Sequence, residues 1–386
     1  VAAPVIDMLY PVGKSARIPI IAVTGTNGKT TTTRLIAHIV KSNGTRVGFT
    51  TSDGIYVQNT KLMKGDTTGP VSTEFILRDP TVEFAVLETA RGGILRAGLG
   101  FNSCDIGVIT NIQEDHLGIS DINTLDDLTK VKAVVIGAVK RSGWAVLNAD
   151  NTYCVKIGKT ADCNVAYFSM DENNPLIIDH GKKGGIAAIY ENGYITIKKG
   201  EWKIRVEKVT HIPLTFGGTV DFMIQNVLAA TLATFLQGYK IEDIKMSLET
   251  FIPSAAQTPG RMNTFKFKDF RVLATEHVGV ISGTGDRRDE DIIETARIAA
   301  QMFDRIIICQ EKYLRGRERQ ELIDLLLTGI NQVNPDKEVI INNNGDDCFR
   351  YIIATAKPGS YITILSDTID NAIGKVTEYL DKEFGV

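Results

Sequence analysis

With 386 residues, 43% of them apolar and 23% charged, the chain has an ordinary globular composition and exceeds one domain of about 150 residues, which excludes a disordered or fibrous polymer and implies two or three compact units. Its 43 Lys plus Arg against 46 Asp plus Glu leave a net charge of −3, so no long-range field draws it to nucleic acid or an acidic membrane, and any anion site must be local. No apolar run approaches the roughly 20 residues of a bilayer span, and five scattered cysteines (Cys104, Cys154, Cys163, Cys309, Cys348) without CxxC or Cys/His spacing predict a reducing cytoplasm rather than disulfides or zinc.

The chain opens Val-Ala-Ala-Pro with neither an initiator Met nor a leader-like segment, so residues 1–17 are expected to be a linker from an upstream region of a longer polypeptide. From Ile18 to about Asp150, strand-like and helical runs alternate: Ile18–Val23, Thr30–Ser42, Val82–Leu87, Asp105–Thr110, Leu125–Val139 and Ala145–Leu147. That alternation predicts βαβ units and a mainly parallel sheet. Between the first strand and the first helix lies Thr24-Gly25-Thr26-Asn27-Gly28-Lys29-Thr30-Thr31. Gly25 and Gly28 let the backbone curl so that N–H groups and the helix N-terminus face phosphates; Lys29 reaches the outer phosphates and the Thr30 hydroxyl takes Mg²⁺. The strict GxxxxGK[ST] spacing is not met, because Val23 stands where its first glycine would be.

Glu88 ends a strand in Val86-Leu87-Glu88-Thr89-Ala90-Arg91-Gly92-Gly93. A carboxylate at the carboxyl end of a parallel strand suits a hard cation bridging nucleotide phosphates; the alternative is a solvated strand-end acid. Arg91 suits a bidentate clamp on carboxylate or phosphate, or equally a surface ion pair. Thr110-Asn111-Ile112-Gln113-Glu114-Asp115-His116-Leu117-Gly118 follows the next strand, and His116 is either a metal ligand or a structural hydrogen-bonder. Lys132 falls in the helical run Leu128–Ala133, where its ammonium either finds a partner or snorkels to water.

From Cys163 to Arg205 the character changes. Asn164–Phe168, Ile186–Tyr190, Tyr194–Ile197 and Trp202–Val206 read as short strands joined by Glu191-Asn192-Gly193 and Lys199-Gly200-Glu201, which predicts antiparallel hairpins inserted at one edge. Asp221–Leu236 and Ile241–Phe251 return to helical period. Pro253, Pro259 and Gly260 then precede a new βα series: Phe270–Leu273, Val278–Ile281, Asp289–Met302, Arg305–Cys309, Glu318–Leu327, Glu338–Ile341, Tyr361–Leu365 and Thr368–Lys382. A second α/β domain is placed from about residue 259 to the end. Within it, Arg271–Leu273 and His277–Ile281 both read as strands, yet only Ala274-Thr275-Glu276 separate them. A crossover between parallel strands takes about a dozen residues or more, so a segment is expected to be missing there.

Together, GTNGKTT, the strand-end Glu88, TNxxxDHLG, the helical Lys132 and Gln257-Thr258-Pro259-Gly260-Arg261-Met262 resemble the Mur ligase superfamily of ATP-dependent amide-forming enzymes. Glu88–Arg96, Gln257–Asn263, Gly285-Asp286-Arg287-Arg288-Asp289-Glu290-Asp291 and Leu314-Arg315-Gly316-Arg317 are similar, more narrowly, to the carboxy-terminal half of the cyanophycin synthetases, through almost the whole chain. The resemblance implies an α/β fold: a P-loop central domain over residues 18–258, with a mainly parallel sheet and a small antiparallel insertion, then a smaller Rossmann-like α/β domain over residues 259–386. It implies ATP and Mg²⁺ as cofactors, with Thr26, Asn27, Gly28, Lys29, Thr30 and Thr31 around the phosphates, Thr30, Glu88 and His116 at the metal, Asn226 reading adenine, and Arg261 facing the nucleotide. Lys132 matches the lysine that many Mur ligases carbamylate, which would give it a carboxylate toward a second Mg²⁺. Arg91 and the loop residues Asp286, Arg287, Arg288 and Asp289 are substrate-side candidates, the last four being otherwise a charged helix cap.

In that family the half preceding this one is an ATP-grasp domain that adds Asp to a polyaspartate backbone, and the Mur-like half joins arginine to each Asp side chain. The implied partners are therefore arginine, an aspartate polymer and an upstream ATP-grasp half, in a homo-oligomer, with no nucleic acid or membrane. The implied reaction runs through an acyl phosphate to an isopeptide bond. Muramyl-peptide or folylpolyglutamate ligation, and a catalytically silent nucleotide-binding module, are the alternatives. One departure stands out: the family's Asp-Tyr-Ala-His-Asn-Pro-like stretch after the first strand of the last domain has no counterpart in this sequence, and it would fall at the short junction after Leu273.

Overall fold

A computed structural model describes residues 8, 17–114, 122–254, 257–259, 261, 277–309, 314–342, 348, 351–352, 355, 361–365, 374 and 376–378. The short junction at residues 274–276, the strand expected over Phe270–Leu273 and most of the helix expected over Thr368–Lys382 lie outside the described residues. The chain divides into two compact units, Val1–Pro253 and Ser254–Val386.

The first unit opens with β1 (Ile20–Thr24), a β-branched run with every residue buried, followed by α1 (Lys29–Ser42). Then come β2 (Val47–Thr51), β3 (Gly54–Val57), β4 (Thr60–Lys64), α2 (Pro70–Arg78), β5 (Phe84–Glu88), α3 (Arg91–Ala97), β6 (Cys104–Ile109), α4 (Leu125–Gly137), β7 (Val139–Asn148), α5 (Thr152–Gly158), β8 (Asn164–Ser169), α6 (Pro175–Lys182), β9 (Ile186–Glu191), β10 (Tyr194–Lys199), β11 (Trp202–Lys208), α7 (Asp221–Leu236) and α8 (Ile241–Thr250). The eleven strands form one sheet in the order β11-β10-β9-β8-β7-β6-β1-β5-β2-β3-β4. From β2 through β9 across the middle, neighbours pair in parallel.

A parallel sheet needs cover on both faces because its crossover helices run over them. Here Leu35, Ile36 and Ile39 of α1 pack with Val227 and Leu228 of α7 and Leu248 of α8 against Ile21, Val23 and Val86 on one face. Ile76 of α2, Val135 of α4, Ile157 of α5 and Ile177 of α6 cover Ile20, Ala22 and Leu87 on the other.

The expected antiparallel insertion is smaller than the sequence reading. β8 pairs in parallel with both β7 and β9, so Asn164–Phe168 does not belong to a hairpin. The physical reason is α6, an eight-residue helix between β8 and β9 whose Pro175 start supplies the crossover. Within the expected insertion, antiparallel pairing is confined to β9–β10 and β10–β11, which extend the same sheet. Asn192 and Gly193 turn β9 into β10 with φ of 51° and 81°, the two left-handed positions of a type I′ turn. The opposite edge, unforeseen from the sequence, is a second antiparallel ribbon of β2, β3 and β4.

The second unit holds β12 (His277–Ile281), α9 (Asp289–Met302), β13 (Arg305–Cys309), α10 (Arg319–Val333), β14 (Glu338–Asn342) and β15 (Tyr361–Ile364). Among the described residues, its four strands are all parallel in the order β14-β13-β12-β15. Ala296 and Ala300 of α9 and Leu322 and Leu326 of α10 cover Ile306 and Ile308. Gly329 lets the two helices touch: a Cβ there would stand 2.2 Å from the Ile293 carbonyl oxygen and 2.8 Å from the Ala296 Cβ. Gly329→Ala would gain about 1 kcal/mol of helix propensity but forces a backbone apart, at a cost of about 1–3 kcal/mol for overpacking. We expect a lower melting temperature, with loss of hydrogen-exchange protection in α9 and α10; an unchanged or raised melting temperature would show that the helices separate freely.

Candidate nucleotide and metal site

The sheet brings three carboxyl strand ends side by side. β1 lies between β5 and β6, with Val23 opposite Glu88 and Thr24 opposite Ile109. The glycine loop after β1, Glu88 at the end of β5 and Thr110–Gln113 after β6 therefore meet at one edge, the usual ligand crevice of a parallel sheet.

The loop is clasped by the segment after β6. Thr26 N–H donates to the Asn111 carbonyl at 2.9 Å and Asn27 N–H to Asn111 Oδ1 at 2.9 Å. The Thr110 hydroxyl donates to the Asn27 carbonyl at 2.5 Å. Thr26 Oγ1 both receives the Gln113 N–H at 3.0 Å and faces its carbonyl at 3.2 Å. That segment is itself held from β7 and α5: Asn148 Nδ2 donates to the Thr110 carbonyl and Asn151 Nδ2 to the Ile112 carbonyl, each at 2.9 Å. Gly25 must lack a side chain, since a Cβ would lie 1.9 Å from Thr110 Oγ1.

Gly28, at φ 84°, caps α1 without any side-chain cap, and no acid stands in the first turn. First-turn N–H groups have no intrahelical acceptor, so this helix end presents donors and a partial positive charge to an anion. Two ammonium groups reinforce it. Lys29 Nζ curls back to the Gly25 carbonyl at 3.1 Å and the Thr26 carbonyl at 2.8 Å, and Lys132, 3% exposed on α4, donates to the same Gly25 carbonyl at 2.7 Å. Lys132 thus does not snorkel.

Hard oxygens gather beside the loop. Glu88 is 1% exposed, not a solvated strand-end acid. Its Oε1 accepts from the Thr30 hydroxyl at 3.1 Å, and its Oε2 accepts the Ser52 N–H at 3.1 Å. Ser52 Oγ lies 3.1 Å from Thr30 Oγ1. Ser52 stands in the β2–β3 turn, where no sequence motif marks a serine as a cation-facing hydroxyl. Two hydroxyls and a carboxylate are the donor chemistry of Mg²⁺ or a like cation.

Asn226, buried on α7, leans against Gly28: a Cβ on Gly28 would lie 2.1 Å from Asn226 Oδ1, which also accepts from the Thr32 hydroxyl at 3.4 Å. Thr31 is buried on α1. Arg91 is the first residue of α3, three residues beyond Glu88, and Gly93 behind it approaches Thr68, whose carbonyl oxygen would be 2.8 Å from a Cβ. His116 lies outside the described residues.

The other candidates belong to the second unit. Arg261 N–H donates to the Thr258 carbonyl at 2.9 Å. Between β12 and α9, Asp286 pairs with Arg315, Asp289 with Arg317 at 2.6 Å, and Arg317 also donates to the Arg287 carbonyl at 2.9 Å. Arg288 forms a two-bond contact with Asp291 one turn into α9, holding that carboxyl below its ordinary range. Arg315 and Arg317 therefore lock this loop to the one after β13, with Gly285 packed so that a Cβ would meet the Leu314 carbonyl at 2.1 Å.

Residues 23–234 match the model of the Mur ligase middle domain. The chain is 47% identical to a cyanophycin synthetase of Geminocystis herdmanii, over 98% of this chain and 46% of that protein, and 50% identical to one of Synechocystis sp., over 89% and 42%. A solved structure of a bifunctional folylpolyglutamate synthase/dihydrofolate synthase with Mn, AMPPNP and L-glutamate bound shares the fold, with a TM-score of 0.66 at 16% identity over 94% of this chain and 90% of that one. The chain spans less than half the length of those two cyanophycin synthetases. With the matched segment running from the glycine-rich loop after β1 through the helix that carries Asn226, the chain belongs to the Mur ligase family.

Proposed function

We propose that this chain is the arginine-adding, ATP-dependent ligase half of a cyanophycin synthetase, joining the arginine α-amine to the side-chain carboxylate of a polyaspartate backbone. The observation that carries the nucleotide part is the convergence of the capless α1 N-terminus, Lys29, Lys132, Thr30, Ser52 and Glu88 at one strand edge. The arginine part rests on the 45–50% identity to cyanophycin synthetases.

An ionised carboxylate does not condense with an ammonium in water, so its oxygen first attacks the γ-phosphorus of ATP in line and ADP leaves. The loop N–H groups and Lys29 stabilise the charge spread over the phosphoryl oxygens. Thr30, Ser52 and Glu88, with His116 as the family resemblance implies, would hold Mg²⁺, which when bound would supply further charge neutralisation at the phosphates. Lys132 holds the Gly25 carbonyl so that the loop keeps its curl. The arginine amine then attacks the acyl carbon, and phosphate leaves with the formation of the amide. By the family resemblance, Arg261 is a nucleotide-side candidate and Asp286, Arg287, Arg288 and Asp289 are substrate-side candidates.

A catalytically silent nucleotide module is the second reading. The match to the Geminocystis protein runs over 399 positions but only 98% of these 386 residues, so the relative holds about twenty positions absent from this chain. The test is phosphate release with a short aspartate peptide, ATP and Mg²⁺, with and without arginine. Release that needs arginine supports the ligase; release indifferent to arginine, or driven instead by diaminopimelate or glutamate with their own acceptors, overturns the assignment. Nucleotide binding without release under any combination favours the silent module.

A further inference from the structure

Behind the cluster of Thr30, Ser52 and Glu88 lies a buried ion pair that the reaction itself does not use. Asp53 follows Ser52 in the β2–β3 turn, and Arg34 stands one turn beyond Thr30 on α1. Their side chains are 8% and 5% exposed, and Arg34 Nη2 meets Asp53 Oδ2 at 2.6 Å. The Tyr56 hydroxyl donates to the same oxygen at 2.5 Å and the Thr51 hydroxyl to Oδ1 at 2.8 Å, while Lys61 Nζ stands 3.6 Å away. The guanidinium lies over the Tyr56 ring at 4.5 Å, and that ring stacks on Phe49 at 4.8 Å. Burial pushes the Asp53 carboxyl up, but Arg34, Tyr56 and Thr51 outweigh it and leave it below its ordinary value.

A desolvated ion pair is a poor way to add stability, because well-packed apolar side chains of similar volume do as well or better. What it adds is direction: several donors fix one carboxylate in one orientation. Here the directed element is the turn that carries Ser52. Thr51 is tied to Asp53 on one side of Ser52 and its carbonyl accepts the Thr67 hydroxyl at 2.7 Å; Asp53 is tied to α1 on the other. The turn belongs to the outer ribbon of the sheet, beyond β5, where pairing alone leaves strands freer to open. Arg34 and Thr30 share one face of α1, four residues apart, so the pair references Ser52 to the same helix that positions Thr30.

We propose that Asp53 and Arg34 are a positioning pair that sets the divalent-cation affinity of the nucleotide site, by holding Ser52 against Thr30 and Glu88. The inference rests on the reading of those three residues as the cation's oxygen cluster. Neither Asp53 nor Arg34 touches the cation; removing such a supporting partner typically costs about 10- to 100-fold in metal affinity.

The experiment titrates Mg²⁺ into the full chain with a fixed concentration of a non-hydrolysable ATP analogue and follows binding by calorimetry, beside thermal unfolding. Asp53→Asn should raise the half-saturating Mg²⁺ about tenfold or more while leaving analogue affinity without metal unchanged. Tyr56→Phe, which removes one donor and keeps the ring, should raise it less and stay folded. The double variant Arg34→Met with Asp53→Leu should recover melting temperature relative to Asp53→Asn but not the Mg²⁺ midpoint, because packing is restored and direction is not. A wild-type midpoint in Asp53→Asn or Tyr56→Phe, or a midpoint recovered together with stability in the double variant, overturns the proposal. Wild-type protein that binds the analogue with no dependence on Mg²⁺ overturns the cluster reading itself, a result separable from the others because it needs no variant.

Discussion

Lys29→Ala is expected to lower arginine-dependent phosphate release by about 10³-fold or more. Removing one preorganised donor at a developing oxyanion costs about 10²- to 10³-fold, and here the lost group also bridges two loop carbonyls, Gly25 at 3.1 Å and Thr26 at 2.8 Å. Two effects therefore combine: the charge facing the phosphoryl oxygens disappears, and the curl of the loop loses one of its ties. They are separable by kinetics. Loss of transition-state charge lowers kcat with little change in the KM for ATP, whereas a collapsed loop raises KM. Lys132 still holds the Gly25 carbonyl at 2.7 Å, so the loop should largely persist and kcat should carry most of the loss. Release within threefold of wild type would mean that the turn near residue 28 does not grip the transferred phosphoryl group.

Gly28→Ala should weaken nucleotide binding about 100-fold, again with Mg²⁺ present and read by calorimetry. Gly28 sits at φ 84°, where an L-residue costs about 1–2 kcal/mol. Its new Cβ would fall 2.1 Å from Asn226 Oδ1 and 3.1 Å from its Cγ, so the amide must leave its place. Each 1.4 kcal/mol is tenfold in affinity, and strain plus displacement together reach about two such steps. The hydrogen bond of Thr32 to Asn226 at 3.4 Å is already long, so the global fold should hold and the melting temperature should move by only a few degrees. Binding unchanged in Gly28→Ala would place the anion somewhere other than the α1 N-terminus.

Much of this architecture is written in local pattern. Ile20–Thr24 is an apolar run rich in β-branched residues, Asp289–Met302 carries an amphipathic helical period, and Asp221–Leu236 is a long apolar run buried nearly all round; the last two run as helices over the residues the sequence marks. The glycine loop is legible because its chemistry is contiguous: a strand, two glycines, Lys29, Thr30 and a helix follow within a dozen residues. Glu88 is legible because its strand is an unbroken apolar run that ends in a charge.

What escaped has a common cause. β2, β3 and β4 are short, and β4 is exposed along its whole length, so no alternation marks them; with them went Ser52, Asp53 and the buried Arg34, which reads in sequence as any polar helix residue. β8 resembles its hairpin neighbours in composition, and only the length and Pro175 start of α6 make it parallel.

Residues adjacent in the chain, with their propensities and charges, determined that this protein has a glycine-rich turn between a buried strand and a long helix, and which acid and which lysine are candidates to serve it. The tertiary structure decided that Glu88, 58 residues from Thr30, stands 3.1 Å from its hydroxyl, that Lys132 reaches the Gly25 carbonyl across 107 residues, and that Ser52 completes the cluster. The reason is that strand order is a non-local outcome: β5 lies beside β1 because burying both faces of a parallel sheet under helices favours that crossover, and no window of sequence contains both strands.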